Sequence, residues 1–334
     1  MNSVLLLGGE GYIGNIVVKN LLENGYSVIS YDYLLYDNHQ CVLNKIHSKK
    51  YYFVYGDILD KKKLQRTIKK ADVVVLFAGL VGDPITKKYP VESSVINDRG
   101  VKSVIDLCAK YNTDKFIFIS TCSNYGLIKN DKLVDENHEL TPLSLYAKSK
   151  VNAEKYILSL QGHTRMNPTI LRFATAFGLS PRMRFDLTIS EFTRDLALGK
   201  ELLIYDAHTW RPYCHVQDFA RLICMVIESP IDKVSFEVFN AGGDVNNATK
   251  QMIVNTILKK IPNGKVRFQE HGSDSRNYRV SFEKVKSVLG FELKYTIQDG
   301  INELIEAINS HVFDHVDENR NFFGNYEIDY PILS

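Results

Sequence analysis

A tyrosine and a lysine stand four positions apart, as Tyr146 and Lys150, at the start of a predicted helix. That spacing places both side chains on one helical face, one turn apart. A lysine ammonium beside a phenol stabilises the phenolate and lowers its pKa, which predicts that Tyr146 acts as a general acid and base. Hydroxyl-bearing residues from Ser120 to Ser123 follow a buried apolar strand, at the end of which open parallel sheets bind ligands. The spacing is common in helices, so its meaning depends on the elements around it.

A glycine-rich turn directly after the first apolar run predicts a binding site for a pyrophosphate. Residues 8–14 read Gly-Gly-Glu-Gly-Tyr-Ile-Gly, which places Gly8, Gly11 and Gly14 three residues apart between a strand and a helix. Glycine lets the backbone turn tightly and approach an anion, while free N–H groups and the positive end of the helix dipole face that anion. Tyr12 and Ile13 are predicted to line the same site.

Asp32 indicates which dinucleotide would bind. It ends the second predicted strand, 18 residues after Gly14. A carboxylate near this distance accepts both hydroxyls of an adenosine ribose and repels a 2′-phosphate. No Arg or Lys lies between Tyr31 and Gln40 to offset that repulsion. NAD is therefore predicted rather than NADP, the alternative being that Asp32 is an ordinary turn aspartate.

An alternation of strands and helices must position these residues. Short apolar runs alternate with helical patterns through the first two thirds of the chain, which is typical of βαβ units in a parallel sheet covered on both faces. The predicted strands are 4–7, 27–31, 52–55, 73–77, 115–120 and 169–173, and the predicted helices are 11–23, 61–70, 91–110 and 144–160. The predicted fold class is α/β: a Rossmann-type doubly wound parallel sheet with a smaller mixed α/β C-terminal substrate lobe.

After about residue 178 the pattern loosens into pieces punctuated by glycine and proline. Residues 1–178 are predicted to form an NAD-binding domain, with later strands returning to it from the C-terminal half. Residues 179–310 are predicted to form the substrate-binding lobe. The polar and aromatic tail, 311–334, leads to no functional prediction.

Composition excludes several classes of protein. The 334 residues are 45% hydrophobic and carry 41 basic and 39 acidic side chains, a net charge of +2. Disorder, a nucleic-acid partner and a membrane partner are not expected from this balance. No run approaches the roughly 20 apolar residues of a membrane helix, and the short apolar start lacks the basic region of a signal peptide. Five scattered cysteines without a C-x-x-C pair indicate free thiols in a reducing cytoplasm and no metal site.

Together these motifs resemble the extended short-chain dehydrogenases/reductases, the NAD-dependent nucleotide-sugar epimerase/dehydratase family. The resemblance covers residues 1 to about 310 and extends to further blocks in the family's order. These blocks are Gly56-Asp57-Ile58, Phe77-Ala78-Gly79, Asn97, Leu171-Arg172-Phe173, Arg211 to Asp218 and Phe239 to Gly243. The likeness implies that Asp57 and Ile58 cup the adenine. It also implies that Phe77, Ala78 and Gly79 wall the cofactor and that Asn97 belongs to the cofactor site.

The resemblance further implies the roles of the catalytic residues. Thr121 would hydrogen-bond the sugar hydroxyl that is oxidised, Tyr146 would take its proton, and Lys150 would hold the nicotinamide ribose. Arg211 would pair with the diphosphate of a nucleotide-diphosphate sugar, and Arg276 is a second phosphate candidate. The alternative for either arginine is an ordinary surface position.

The chain departs from the family pattern near the expected substrate. A 4,6-dehydratase carries an Asp-Glu pair after the catalytic threonine, where this chain has Cys122 and Ser123, so dehydration is not expected. Cys122 stands one place away from the cysteine that relatives use for 3,5-epimerisation, so it is either a substrate-site acid/base or a buried small residue. Thr175 replaces a substrate-contacting asparagine. Arg182 and Arg184 are expected either to meet phosphate or an acidic sugar or to be solvated loop charges.

The function hypothesis is hydride transfer at C4 of a nucleotide-linked sugar through a 4-keto species, with NAD as cofactor. A 4-epimerase and a 4-dehydrogenase/reductase need the same groups, so both are kept. A 3,5-epimerase or 4,6-dehydratase of the same family and a non-catalytic NAD-binding regulatory protein are the alternatives. Helices 91–110 and 144–160 resemble those through which the family dimerises, so a homodimer is expected.

Overall fold

Seven parallel strands form the centre of the chain, of which the computed structural model describes residues 3–128, 132–272 and 276–331. In chain order the strands are β1 (Ser3–Leu7), β2 (Ser27–Asp32), β3 (Tyr51–Tyr55), β4 (Val73–Leu76), β5 (Lys115–Thr121), β6 (Leu133–Val134), β7 (Pro168–Phe173), β8 (Thr175–Phe177), β9 (Leu202–Tyr205), β10 (Trp210–His215), β11 (Glu237–Ala241), β12 (Asn247–Thr249), β13 (Val266–Gln269) and β14 (Arg279–Val280). The central sheet has the order β3-β2-β1-β4-β5-β7-β11, and every neighbouring pair is parallel. The direction of winding reverses between β1 and β4, which opens a crevice at their carboxyl ends. The predicted Rossmann-type sheet is confirmed.

Helices cover both faces of this sheet. They are α1 (Tyr12–Glu23), α2 (Gln40–Leu43), α3 (Lys61–Ile68), α4 (Asp83–Lys88), α5 (Pro90–Ser93), α6 (Val101–Lys110), α7 (Leu145–Ser159), α8 (Thr188–Ala197), α9 (Val216–Glu228), α10 (Ile231–Val234), α11 (Lys250–Leu258), α12 (Glu283–Leu289) and α13 (Ile297–Asn309). Short 3-10 turns lie at Cys122–Tyr125 and Asp244–Asn246. Within the described ranges, no helix is both long and apolar enough to cross a membrane.

Alternating side chains along β1 build the two layers of the core. Val4 and Leu6 belong to a cluster with apolar residues of α1 and α9, whereas Leu5 and Leu7 belong to one with residues of α3 and α6. All four side chains are almost completely inaccessible. A strand covered on both faces appears in the sequence as a continuous apolar run, which is why these strands were predictable.

The C-terminal half of the chain is shared between this sheet and a smaller lobe. Strand β11 pairs with β7 at the edge of the central sheet, and α9 packs against α1. The smaller lobe contains the sheet β12-β10-β8, the pair β13-β9 and an apolar core from α8, α11 and α13. The chain therefore returns to the central sheet and its helices well after residue 178.

The helix predicted over 91–110 consists of α5, a π-helical segment at Ser94–Gly100 and α6. Asn97 lies buried in the π-helical segment. Its Oδ1 accepts the N–H of Leu80 at 2.8 Å, and its Nδ2 donates to the carbonyl of the same residue at 3.0 Å. The widened turn brings this amide to the loop after β4, a contact that α-helical periodicity does not encode.

Residues 311–331, called the final segment below, run along the opening of the crevice. Phe313 and Phe323 pack around Phe185, with ring centroids 5.1 Å and 6.1 Å away. The N–H of Phe185 also donates to the carbonyl of Phe323 at 2.8 Å. The part of the chain without a functional prediction is thus attached to the wall of the crevice.

Candidate active site

A cavity of about 480 Å³ lies at the carboxyl ends of the central strands. Its lining comes from the turn after β1, the ends of β2 and β3, the loop after β4, the end of β5 and the start of α7. The smaller lobe and the final segment contribute the opposite side. Every residue that the sequence predicts for the cofactor, the substrate or catalysis lines this cavity, except Asn97 and Cys122.

The glycine turn has the shape of an anion site. Gly8 has a φ of +87°, and a Cβ at Gly14 would lie 2.5 Å from the carbonyl oxygen of Gly8, so both positions require glycine. Helix α1 begins at Tyr12, and Gly11 before it has no side chain with which to cap the helix. The first N–H groups of α1 therefore face the cavity uncapped, and no acidic residue in the first turn repels an anion.

Asp32 ends β2 beside this turn. Its Oδ2 accepts the N–H of Glu10 at 2.9 Å, and its Oδ1 accepts the N–H of Leu34 at 2.8 Å. Desolvation raises the pKa of the carboxyl to about 6, although the two N–H bonds favour the charged form. The group is therefore mostly ionised at neutral pH, with further lone pairs available to hydroxyl donors.

Glu10, within the glycine turn, was not predicted to have a role. It is fully buried, and its Oε1 accepts hydrogen bonds from Ser30 Oγ at 2.6 Å and Tyr51 Oη at 2.7 Å. Its Oε2 pairs with Lys45 Nζ at 2.7 Å. These contacts tie the turn to β2 and β3 from behind. A lone glutamate between glycines resembles an exposed turn residue, so the sequence carried no signal for this role.

Asp57 lies at the far end of the cavity from Tyr146, on the loop after β3. Its Oδ1 accepts the N–H of Leu59 at 2.8 Å, and its Oδ2 accepts the hydroxyl of Tyr330 at 2.5 Å. Ile58 and Tyr33 complete this end of the cavity. Sequence reasoning missed both tyrosines, because nothing local links residue 330 to residue 57.

Asn97, predicted for the cofactor site, does not line the cavity, and its role there stays a prediction. Phe77, Ala78 and Gly79 line the cavity, but Asn97 lies behind them, with its amide bonded to Leu80. A Cβ at Gly79 would lie 2.8 Å from Asn97 Oδ1, so the amide packs directly against the back of this wall. Asn97 therefore shapes the wall without facing the cavity.

Helix α7 positions Tyr146 and Lys150. Ser144 Oγ accepts the N–H of Ala147 at 3.2 Å and caps the helix, which sets Tyr146 in the first turn. Lys150 Nζ donates to the carbonyl of Ile119 at 2.8 Å and lies 5.9 Å from the centroid of the Tyr146 ring. Burial lowers the pKa of Lys150 to about 8.

Burial is the largest influence on the pKa of Tyr146 in the folded chain, and Lys150 is not among the groups that lower it. Burial raises the pKa of the Tyr146 phenol above its ordinary value, and this effect outweighs the charge of Arg184 and the hydrogen bond with Thr121, which lower it. The phenol is removed from water, and the Lys150 ammonium is directed at the Ile119 carbonyl. Among the groups of the chain alone, burial thus favours the protonated form of Tyr146.

A buried polar network lies beneath these residues. Glu154, one turn after Lys150 on α7, forms an ion pair with Arg172 of β7 at 2.8 Å. The same carboxylate accepts Asn124 Nδ2 at 2.8 Å and the hydroxyl of Ser120. The network joins α7 to β5 and β7 behind the cavity. The sequence did contain a signal for this network: Glu154 follows Lys150 by four residues, a spacing that places both side chains on the same helical face.

Arginines line the half of the cavity nearer the smaller lobe. Arg276 Nη1 pairs with Asp83 at 2.7 Å and donates to Ser123 Oγ at 3.3 Å. The guanidinium of Arg211 lies 5.1 Å from the centroid of the Tyr278 ring. Thr175 contributes to the same half.

Arg182 and Arg184 separate in space although they are two residues apart. Arg184 Nε donates to Asp186 Oδ1 at 3.0 Å, and its charge acts on Tyr146. Arg182 lies over the ring of Tyr36, at 4.4 Å from its centroid, on the Asp32 side of the cavity. The prediction of a substrate role for Arg182 is therefore not supported by its position.

Cys122, predicted for the substrate site, does not line the cavity, and a role there stays a prediction. Its thiol is buried and donates to the carbonyl of Arg172 at 3.1 Å, beneath the cavity lining. Burial raises the pKa of this thiol well above its ordinary value. The other four cysteines are also buried, unpaired thiols outside the lining. This position fits the alternative of a buried small residue for Cys122.

Several buried polar atoms in the lining have no hydrogen-bond partner within the described ranges. They are Tyr36 Oη, Asn38 Oδ1, Asp83 Oδ1 and Arg182 Nε. Buried polar atoms are rarely left unpaired, so this lining fits a ligand rich in phosphate and hydroxyl groups. Such a ligand would extend from Asp57 past the glycine turn to Tyr146, which is the arrangement that a dinucleotide requires.

A family model and curated proteins match most of the chain. The model of the NAD dependent epimerase/dehydratase family matches residues 4–242. The low-salt glycan biosynthesis protein Agl12 of Haloferax volcanii is 29% identical over 91% of this chain and 97% of its own length. A UDP-glucose 4-epimerase of Yersinia enterocolitica is 30% identical over 75% of this chain and 80% of its own.

Solved structures match the fold over most of the chain. The dTDP-glucose 4,6-dehydratase of Bacillus anthracis, in complex with NAD, has a TM-score of 0.81 at 27% identity and covers 93% of this chain and 97% of its own. The UDP-glucose 4-epimerase of Thermotoga maritima, with UDP-glucose, has a TM-score of 0.82 at 24% identity and covers 93% and 99%. At this lower identity, the second match shows a shared fold and no more.

Proposed function

The chain belongs to the NAD dependent epimerase/dehydratase family, and on this premise we propose that it is a nucleotide-sugar 4-epimerase working through a 4-keto sugar. NAD is the cofactor. The observation that carries the proposal is the convergence of Thr121, Tyr146 and Lys150 on one cavity with the glycine turn and Asp32. Several curated relatives are UDP-glucose 4-epimerases, which favours epimerisation over net dehydrogenation.

The lining offers a group for each part of NAD. The uncapped start of α1 would hold the pyrophosphate, and Asp32 would accept the hydroxyls of the adenosine ribose. Asp57 and Ile58 would meet the adenine, and Lys150 the nicotinamide ribose. When bound, NAD supplies a two-electron acceptor for the hydrogen on C4 of the sugar and later returns it.

The side chains of this site remove the proton of the C4 hydroxyl and later return it. Thr121 hydrogen-bonds that hydroxyl and orients it toward Tyr146. Tyr146 acts as the base in its phenolate form, after its own proton has been lost to solvent. The phenolate takes the proton of the C4 hydroxyl as the carbon is oxidised, and the resulting phenol gives it back when the keto sugar is reduced from its other face. Lys150, with a pKa of about 8, is mostly charged at neutral pH and stabilises the phenolate form in which Tyr146 accepts the proton.

The lining does not favour the other reactions of the family. Elimination of water at C5 and C6 needs a second acid and base beside Thr121, and the chain has Cys122 and Ser123 there. The thiol of Cys122 is directed away from the cavity. Epimerisation at C3 and C5 by a cysteine is disfavoured for the same reason, since none of the five cysteines lines the cavity.

The arginines of the smaller lobe are proposed to bind the diphosphate of the substrate. Arg211 and Arg276 both line the cavity, Arg211 over the ring of Tyr278 and Arg276 bonded to Ser123. A guanidinium matches two phosphate oxygens at once. Arg184, whose charge reaches Tyr146, is proposed to contact the sugar or the nearer phosphate.

The molecule is proposed to be a cytoplasmic homodimer. Val91 of α5 and Leu145 of α7 are both about half exposed, on the two helices that the sequence predicted for a dimer interface. Apolar side chains of this kind are stabilised when a second copy covers them. The five buried thiols fit a reducing compartment. A solution mass equal to that of one chain would refute the dimer.

A panel of nucleotide sugars tests the proposed reaction. The purified protein is denatured and any released nicotinamide nucleotide is identified. The native protein is then incubated with each sugar while NADH absorbance and product mass are followed. An isomer of unchanged mass with no lasting NADH supports the epimerase. A product two mass units lighter with accumulating NADH would instead establish a dehydrogenase, and no turnover of any sugar would favour a non-catalytic NAD-binding protein.

A further inference from the structure

The final segment contributes two residues to the lining of the cofactor cavity. Asn325 and Tyr330 line it together with Gly8, Asp32 and Asp57. They are five residues apart, a length of chain that spans at most about 18 Å. The final segment thus touches the cavity at two separate points.

Asn325 fixes the first of these points. Its Nδ2 donates to the carbonyl of Val81, in the loop after β4, at 2.9 Å. Its Oδ1 accepts Arg182 Nη2 at 2.8 Å, and the same guanidinium nitrogen donates to the carbonyl of Gly324 at 3.1 Å. Asn325 is buried, so these bonds form out of water. They tie the final segment to the β4 side of the cavity and direct Arg182 toward Asp32.

Tyr330 fixes the second point, on the other side. Its hydroxyl donates to Asp57 Oδ2 at 2.5 Å, and its ring meets the ring of Tyr33 edge to face at a centroid distance of 5.6 Å. Tyr33 in turn stacks on Tyr55 at 5.5 Å. Burial and the Asp57 carboxylate raise the pKa of the Tyr330 phenol, so it remains a donor. Each carboxylate oxygen has two lone pairs, which leaves Asp57 able to accept another hydrogen bond.

We propose that Tyr330 and Asn325 belong to the NAD site and that the final segment holds the adenosine half of the cofactor in place. Tyr330 supplies an aromatic wall for the adenine opposite Ile58, and Asn325 holds Arg182 beside the ribose and pyrophosphate. The inference rests on the proposed function for the identity of the cofactor but not for the sugar. Slow release of NAD is what an epimerase needs, because the hydrogen removed from the sugar must return to the same molecule.

The release of NAD from the full-length protein tests this directly. The protein is loaded with NAD, diluted into an excess of an NAD-binding competitor enzyme, and the rate of transfer is measured without any sugar. Tyr330→Ala is expected to release NAD about 5- to 100-fold faster, because stacking on the base is lost. Tyr330→Phe keeps the ring and should lie between this variant and the unmodified protein. Tyr52→Ala, which removes an exposed tyrosine of β3 outside the cavity, is the matched control.

A second measurement follows the final segment itself. Bound NAD is expected to slow proteolysis of residues 311–331 in the unmodified protein and in Tyr52→Ala, but less so in Tyr330→Ala and Asn325→Ala. Unchanged release from Tyr330→Ala would overturn the inference. Tighter binding by that variant would also overturn it, since Tyr330 would then compete with adenine for Asp57. If NAD release behaves as expected but no nucleotide sugar is converted, the proposed reaction fails and the inference about the final segment stands.

Discussion

The pKa of the Tyr146 phenol depends more on burial than on the lysine one turn away. The phenol is out of water, its pKa is raised, and the Lys150 ammonium is bonded to a backbone carbonyl. Tyr146 therefore keeps its proton until a substrate hydroxyl and a positively charged cofactor alter its surroundings. Spacing in the sequence identified the pair, but the depth at which each group lies had to come from the folded chain.

Removing the Tyr146 hydroxyl is expected to abolish most of the activity and leave NAD bound. In Tyr146→Phe, kcat should fall by about 10²–10⁴, because the proton of the C4 hydroxyl loses its acceptor. NAD content is measured on the denatured protein and kcat by conversion of the sugar. Tyr52→Phe, at an exposed position of β3, should match the unmodified protein. Full activity in Tyr146→Phe would exclude the proposed role.

The affinity for NAD is expected to depend on pH through Asp32. The carboxyl has a pKa of about 6 in the folded chain, and its ionised form is the better acceptor for ribose hydroxyls. Affinity should be constant above about pH 7 and weaken by up to about tenfold for each unit below pH 6. The dissociation constant is measured by titration between pH 5 and pH 8. Asp32→Asn should bind NAD more weakly and with little slope, so an unchanged slope in that variant would assign the titration to another group.

At the scale of elements, a buried ion pair holds α7 against the sheet. Glu154 and Arg172 are both almost completely buried, and their pairing joins α7 to β7 one turn below Lys150. Breaking a buried pair leaves one charge without its partner, which costs more than the pair itself contributes.

Glu154→Gln is therefore expected to lower the free energy of unfolding by about 3–5 kcal/mol. It should also lower the pKa of Lys150 further, because the Glu154 carboxylate is the charge that opposes the effect of burial. The midpoint of denaturant unfolding is measured by circular dichroism. Glu23→Gln breaks the exposed pair with Lys19, at 3.9 Å, and should cost about 0.5 kcal/mol or less. Similar losses in both variants would contradict a structural role for the buried pair.

The strands and helices were the features best predicted from the sequence. Each predicted strand of the central sheet is observed to within one residue at either end, because a strand buried on both faces needs a continuous apolar run. The π-helical segment around Asn97 was not predictable, since its apolar spacing is close to that of an α-helix. The family resemblance, and with it the cofactor, is confirmed.

At the scale of the whole molecule, contacts between distant parts of the chain escaped prediction. Asp57 meets Tyr330, and Val81 and Arg182 meet Asn325, across separations that no local pattern records. Arg182 and Arg184 looked equivalent in the sequence, yet the fold directs one toward Asp32 and the other toward Tyr146. These contacts set the shape and charge of the two halves of the cavity.

The most direct measurement follows the hydrogen on C4 of the sugar. The protein with NAD is incubated with a nucleotide sugar deuterated at C4, in ordinary water, and the product and cofactor are analysed by mass spectrometry and NMR. We expect a 4-epimer that retains the deuterium at C4, with a trace of deuterated NADH. A product in which C4 has exchanged its deuterium for solvent hydrogen, or one that has lost water, would contradict hydrogen transfer to and from NAD at C4.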